Sequence, residues 1–232
     1  RSDRRIVVAV LAVRSDEDGL GLRLLNGRGR NVVDAAEGTA VGALEGTVGT
    51  LFGLRPTPVT KCRVLELGCG GGINMQFYDP ARIKSFSGLD PSPALLDASR
   101  AAAQAKGMTA DIRGGIGEAM PFADASFDTI LVTFTLCSVD EQAQVLKEMR
   151  RVLRPGGKAL FLEHGRAPDA SVQAWQRRIE PVWKRIGGNC HLTRAITGAY
   201  EAAGFKIDNA DKTYMPKTPR PFGWIEWGEA RN

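Results

Sequence analysis

Arg63-Val64-Leu65-Glu66-Leu67-Gly68-Cys69-Gly70-Gly71-Gly72 is the stretch on which the reading of the fold turns. A short aliphatic run enters an acid and then alternate glycines, the pattern of a buried strand that turns tightly beneath a ligand. Glycine adopts backbone conformations closed to other residues and lets the main chain approach a bound molecule. A helix beginning at Ile73–Tyr78 would present its unpaired N–H groups to the same place. Further on stands Asp90, at the end of a second apolar run, Ser85–Leu89, where it can accept hydrogen bonds from two ribose hydroxyls.

The alternation continues outward from this pair. Pro93–Lys106 reads as a helix stopped by Gly107, Thr109–Arg113 as a third strand and Thr129–Thr133 as a fully buried fourth. Glu141–Leu153 is an amphipathic helix closed by Pro155-Gly156-Gly157, and Ala159–Leu162 is a fifth strand. After Gly165 come helices over Val172–Ile186 and Arg194–Ala203 and a strand over Phe205–Ala210. The tail Phe222–Trp227 alternates like a last antiparallel strand. The prediction is a doubly wound α/β, Rossmann-like fold: a seven-stranded, mostly parallel sheet with helices on both faces and right-handed crossovers.

Residues 1–58 precede this pattern as a poorly defined N-terminal extension, so the domain is placed at 59–232. Within the extension, Ile6–Val13 is a short strand, the remnant of a signal or anchor, or part of an irregular segment, and Arg28–Asn31 is a turn. Asp34–Leu51 is a helix weakened by four glycines, and Arg55-Pro56-Thr57-Pro58 is a linker.

At 232 residues the chain has room for one sizeable domain. No apolar run approaches the roughly 20 residues that span a bilayer, which leaves peripheral membrane contact open but argues against an integral segment. Cys62, Cys69, Cys137 and Cys190 are widely spaced and form no C-x-x-C pair. That disfavours a zinc ribbon or disulfide framework and fits a reducing, cytoplasmic setting, with no metal expected. Between Arg166 and Arg220, ten Lys or Arg face five Asp or Glu, which equals the whole net charge of +5. A solvated helical face explains this more simply than an anionic partner, and nothing resembles a nucleic-acid-binding signature.

A glycine turn followed by an acid also serves dinucleotide-binding folds. Two details point elsewhere: Glu66 precedes the glycines, and the spacing is Glu-x-Gly-x-Gly-x-Gly. Together with Gly117–Phe122, Ser126-Phe127-Asp128 and Glu148–Gly157, residues 62–165 resemble the class I S-adenosylmethionine-dependent methyltransferases. The resemblance implies S-adenosylmethionine as cofactor and S-adenosylhomocysteine as product. It assigns the site to Glu66, Gly68, Cys69, Gly70, Gly72, Asp90, Pro91, Gly117, Glu118, Thr133 and Leu136, with Glu66 facing the cofactor's ammonium. Ile116 stands where many members carry an Asp for the adenine amino group. The adenine edge is left to the backbone near Gly117 or to Glu118.

Three further stretches narrow the resemblance: Thr133–Val139, Leu162-Glu163-His164, and Glu180-Pro181-x-Trp183 with Gly188–Arg194. Over about Arg63–Phe205 these are similar to the methyltransferase-like proteins that S-methylate alkyl thiols. The resemblance implies a small-molecule acceptor, with a thiol as first candidate. Cys137, His191 and Arg194 are then candidates to line the acceptor pocket. His164 is the candidate that assists deprotonation or orients the acceptor. For each, a structural role such as a hydrogen bond to a loop carbonyl is the competing explanation, as is helix packing for Trp175 and Trp183. Three other functions stay open: a lipid, quinone or natural-product O-, N- or C-methyltransferase, a cofactor-binding protein without turnover, and a nicotinamide dehydrogenase. The oligomeric state is not legible.

Overall fold

The computed structural model describes residues 62–215 and 218–232, and the backbone of three strands before them: Val10–Asp16 (β1), Gly19–Leu25 (β2) and Asn31–Ala36 (β3). These three form an antiparallel sheet in chain order. Part of the Ile6–Val13 run therefore lies in β1. Asp34, Ala35 and Ala36, expected to open a helix, instead pair with Arg23, Leu22 and Gly21 of β2. The remainder of that helix, the Arg55–Pro58 linker and the boundary at 58/59 lie outside the described residues, as does most of the Arg28–Asn31 turn.

The main domain runs β4 (Cys62–Leu67), β5 (Ile83–Asp90), α1 (Pro93–Ala105), β6 (Ala110–Gly114), β7 (Phe127–Thr133), α2 (Gln142–Val152) and β8 (Leu153–His164). It continues with α3 (Ala170–Ile186), α4 (Ile196–Ala202), β9 (Lys206–Tyr214), α5 (Arg220–Gly223) and β10 (Trp224–Arg231). Seven strands form one sheet in the order β6-β5-β4-β7-β8-β10-β9. The first five are parallel, and β10 runs antiparallel to β8 and β9 between them.

Strand alternation explains the two layers of core. Leu65, Ile130, Val132 and Phe161 face one side, where Val145, Leu146, Met149 and Val152 of α2 and Tyr200 of α4 pack on them. Their neighbours Val64, Leu131 and Leu160 face the other side, against Leu96 and Ala103 of α1. Both faces are covered, which is why Val64-Leu65, Ile130–Val132 and Ala159–Leu162 run apolar without alternation. Each buried aliphatic or aromatic side chain contributes about 1.5–3 kcal/mol.

Three local expectations are corrected. Ile73–Tyr78 makes only a 3-10 turn, Ile73–Phe77, because Asp79-Pro80 follows at once and starts another. Pro155–Gly157 does not separate α2 from β8; the chain passes from Val152 straight into a long strand that includes them, with Gly156 at φ 76°. Trp175 is 57% exposed, on an outer face of α3 with Val182 and Ile186, whereas Trp183 packs on Phe222 as expected. Among the described residues, no helix is long and apolar enough to cross a membrane.

Candidate active site

The chain leaves β4 for β5 and β6, then returns to place β7 on the other side of β4. Ligands of such sheets bind outside the carboxyl ends of the strands where the order reverses. Here that point lies between Leu67 of β4 and Thr133 of β7.

The glycine turn is built by three left-handed residues, Gly68 (φ 72°), Gly70 (φ 49°) and Gly72 (φ 79°). Gly68 and Cys69 donate their N–H groups to Leu89 O at 2.8 and 3.2 Å, which holds the turn against β5. A Cβ on Gly68 would fall 1.9 Å from Thr135 Oγ1, and one on Gly72 would fall 2.9 Å from Ser99 Cα. Gly70 differs: a Cβ there would meet nothing within 4 Å. Its backbone faces an open space, the cradle a cofactor needs.

Two carboxylates border that cradle. Asp90 accepts from Gly70 N and Ser92 N, each at 2.9 Å, one on each oxygen. A carboxylate has about four acceptor positions, so ribose hydroxyls can still be served. Glu66 is almost fully buried; Asn74 Nδ2 donates to one oxygen at 2.8 Å and the Tyr78 hydroxyl to the other at 3.0 Å. Burial pushes its carboxyl up to about 7, helped by the charge of Asp90 and opposed by those two donors. Asn74 also donates to Thr133 Oγ1 at 2.9 Å, tying the turn to the end of β7. Neither Asn74 nor Tyr78 was anticipated from the sequence, although their i, i+4 spacing just after the glycines was the available signal.

The remaining donor-side candidates divide. Cys69 is buried, its thiol pushed up to about 12 mainly by burial, and its sulfur packs where a Cβ on Gly88 would sit. Pro91 is exposed beside Asp90. Gly117 packs closely against Val145 and Leu67. Glu118 Oε1 accepts from Asp140 N and Glu141 N at 3.1 Å, so it caps the start of α2. Ile116 is 51% exposed and presents an apolar surface at the strand end.

The acceptor side is assembled around Glu163, which is fully buried. Its oxygens accept the N–H groups of Thr135, Leu136 and Cys137 at 2.9, 2.9 and 3.0 Å. Burial raises this carboxyl while the three N–H bonds oppose the rise. No role for Glu163 is legible in the sequence, because its partners lie almost thirty residues upstream. Phe134, which opens the loop, is held at φ 50°, a left-handed conformation uncommon for a non-glycine residue and concentrated at functional sites.

A second loop is fastened onto the first. Arg194, half-buried, donates to the carbonyls of Leu136 and Val139 at 2.7 Å and of Asp140 at 3.2 Å. Asn189 donates to Ser138 O, and His191 N to Cys137 O, each at 2.8 Å. The His191 ring lies 3.8 Å from Glu180, and burial with nearby Arg194 and Lys184 lowers its pKa. The clamp brings together three residues distant in sequence. His164 Nδ1 lies 3.7 Å from Cys190 Sγ, with Cys137 beside them and the His164 ring 4.7 Å from Phe134. Cys137 Sγ also lies 3.4 Å from Ser138 Oγ; the neighbouring Cys190 and burial hold the Cys137 thiol above the ordinary range, while Cys137, His164 and Trp183 hold Cys190 below it.

The fold and this site define a class I S-adenosylmethionine-dependent methyltransferase. A family model described as a methyltransferase domain matches residues 65–161. The chain is 38% identical over 169 residues to thiol S-methyltransferase TMT1B of Rattus norvegicus, covering 71% of this chain and 66% of that one. It is 38% identical over 173 residues to the Homo sapiens protein of the same name, covering 72% and 68%. An S-adenosylmethionine-dependent methyltransferase structure from Mesorhizobium loti superposes with a TM-score of 0.60 at 18% identity, over 84% of this chain and 100% of that one. The chain belongs to the family of the two thiol S-methyltransferases and spans about two thirds of their length.

Proposed function

We propose that this protein transfers the methyl group of S-adenosylmethionine to the sulfur of a small thiol. The single observation that carries the acceptor choice is the state of the two acids at the switch point. Glu66 and Glu163 are buried and committed to hydrogen bonds within the protein, so neither is free to serve as a strong general base. An alcohol acceptor needs such a base, whereas a thiol, with a pKa of about 8.5, needs only modest polarisation.

S-adenosylmethionine supplies an activated methyl group on a sulfonium. The protein's part is to bind and orient. Gly68, Gly70 and Gly72 form the cradle, Asp90 takes the ribose hydroxyls, and Glu66 faces the ammonium. The apolar surface of Ile116 packs on the adenine in place of a carboxylate contact, while Glu118 serves the helix start behind it. On the acceptor side, Cys137 and His191 line the approach, and Arg194 positions the loop that carries Cys137 and Leu136. His164 polarises or orients the acceptor sulfur. Holding the partners in line and excluding water supplies up to about 7–11 kcal/mol of barrier reduction. The four free cysteines, Cys62, Cys69, Cys137 and Cys190, support a reducing compartment such as the cytoplasm.

The reading is tested with a methyl-transfer assay on thiols, phenols, amines and quinones. Thiol products only are expected. Transfer to a phenol or quinone with none to any thiol would replace it with the O- or C-methyltransferase reading.

A further inference from the structure

Cys137, His164 and Cys190 come from three separate segments, yet their ligand atoms all lie within 4.8 Å of one another. Nothing in the donor site requires this. Tetrahedral zinc, with Zn–S near 2.3 Å and Zn–N near 2.0–2.1 Å, needs ligand atoms about 3.5–3.8 Å apart. The Cys190 Sγ to His164 Nδ1 separation of 3.7 Å already has that value.

We propose that Cys137, His164 and Cys190 form a zinc site that holds the acceptor thiol. The donor set is two sulfurs and an imidazole nitrogen with no carboxylate oxygen, which selects zinc over calcium or magnesium. Two thiolates and a neutral imidazole balance the charge of Zn²⁺ within a buried cluster. Three protein ligands rather than four leave one position open, as in catalytic rather than structural zinc sites.

The surroundings support the ligands. Glu163 fixes the backbone at Cys137 through three N–H bonds, and the peptide N–H of His191 grips the Cys137 carbonyl. The Trp183 indole N–H is buried without a nitrogen or oxygen acceptor and lies beside Cys190. A donor aimed at a metal-bound thiolate is a common outer partner in such sites. The cluster follows directly on Thr133–Leu136 at the switch point, so a thiol bound there sits on the acceptor side of the cradle. On entry, the thiol replaces a water on zinc: its sulfur forms the Zn–S bond, the Zn–O bond breaks, and the S–H proton passes to solvent. This acceptor-holding step rests on the thiol reading above; the zinc site itself does not.

The test starts with full-length protein purified anaerobically under reducing conditions. Zinc is measured by elemental analysis, and chelator-stripped protein is titrated with Co²⁺ while the thiolate-to-cobalt charge-transfer and d–d bands are followed. One zinc per chain and saturable cobalt bands at one equivalent are expected. Cys137→Ser and Cys190→Ser each weaken cobalt binding by roughly 100-fold, the upper end of what loss of even a supporting partner costs. Circular dichroism melts identify which variants remain folded, and His164→Asn supplies a third readout that leaves both sulfurs in place. Adding 2-mercaptoethanol shifts the cobalt spectrum, whereas ethylene glycol does not. Absence of metal and of cobalt bands, a Cys137–Cys190 disulfide in the reduced preparation, or unchanged cobalt affinity in all folded variants overturns the site. Cobalt bands indifferent to 2-mercaptoethanol overturn the acceptor role. Methylation of thiols by metal-free protein would overturn the acceptor-holding role of the zinc and leave the proposed function standing.

Discussion

The two halves of the site are built on opposite plans. The donor half, Glu66 to Asp90, is one stretch of β4, its turn and β5, and relies on backbone: left-handed glycines and N–H groups held by a strand carbonyl and a carboxylate. The acceptor half takes Thr133–Cys137, Glu163-His164 and Asn189–Arg194 from three places and relies on side chains reaching across. A local, backbone-made site constrains any ligand with the same sugar and sulfonium, which suits a shared cofactor. A side-chain-made site can be altered one residue at a time, which suits a changing acceptor.

Substitutions that separate the halves test this contrast, and the largest effects are expected from His164 and Glu163. His164→Ala lowers kcat/KM for a thiol by roughly 10²–10³-fold, the usual cost of losing a group that polarises a reacting atom, while calorimetry shows unaltered cofactor binding. Full turnover across pH 6–9 would remove His164 from the chemistry. Glu163→Ala leaves three loop N–H groups without their acceptor and misplaces the acceptor residues, at a cost of about 10²-fold in kcat/KM. The loss is read in steady-state assays, and cofactor affinity changes far less.

Gly68 joins the halves, because its Cα lies against Thr135. Gly68→Ala combines a left-handed alanine with overpacking, costing about 2–4 kcal/mol. Urea unfolding measures the loss, and adding Thr135→Gly recovers part of it.

A smaller effect comes from pH. With its carboxyl near 7, Glu66 is mostly protonated at pH 6 and mostly ionised at pH 8. An ammonium partner prefers the ionised form, so cofactor binding releases a proton and affinity rises with pH, about tenfold per unit below pH 7 and levelling above it. Stability moves in the opposite sense. The raised carboxyl favours the folded state fully below its ordinary value of 4.5, and that contribution is lost as pH rises through 7. Glu66→Gln removes both dependences in calorimetry and thermal melts. The smallest change is Ile116→Asp, which supplies the absent adenine acceptor and tightens cofactor binding about fivefold, near 1 kcal/mol for one hydrogen bond, as read by calorimetry.

The halves also differed in how legible they were. Glu66, the glycines and Asp90 are spaced along one chain segment, so their roles follow from counting residues, and the seven strands follow from apolar runs between helices. Asn74 and Tyr78 were missed because a buried acid's donors depend on a 3-10 turn that looked like the start of a longer helix. Glu163 had no readable role because its partners are on another loop. Arg194 read as a pocket residue, yet its donors go to three loop carbonyls. Trp175 read as packing and lies exposed, since its neighbours on α3 fixed the helix but not which side met the protein.

The position of β10 carries a consequence for how the protein is made. Ile225 and Glu226 pair with His164 and Glu163, so the flank of the acceptor half is closed by residues synthesised long after it. Until Trp224–Arg231 leaves the ribosome, the nascent β8 has an open edge beside Glu163 and His164, and unpaired edges recruit other strands. That edge therefore stays exposed throughout the synthesis of residues 165–223, which makes translation the stage at which a wrong strand is most readily accepted.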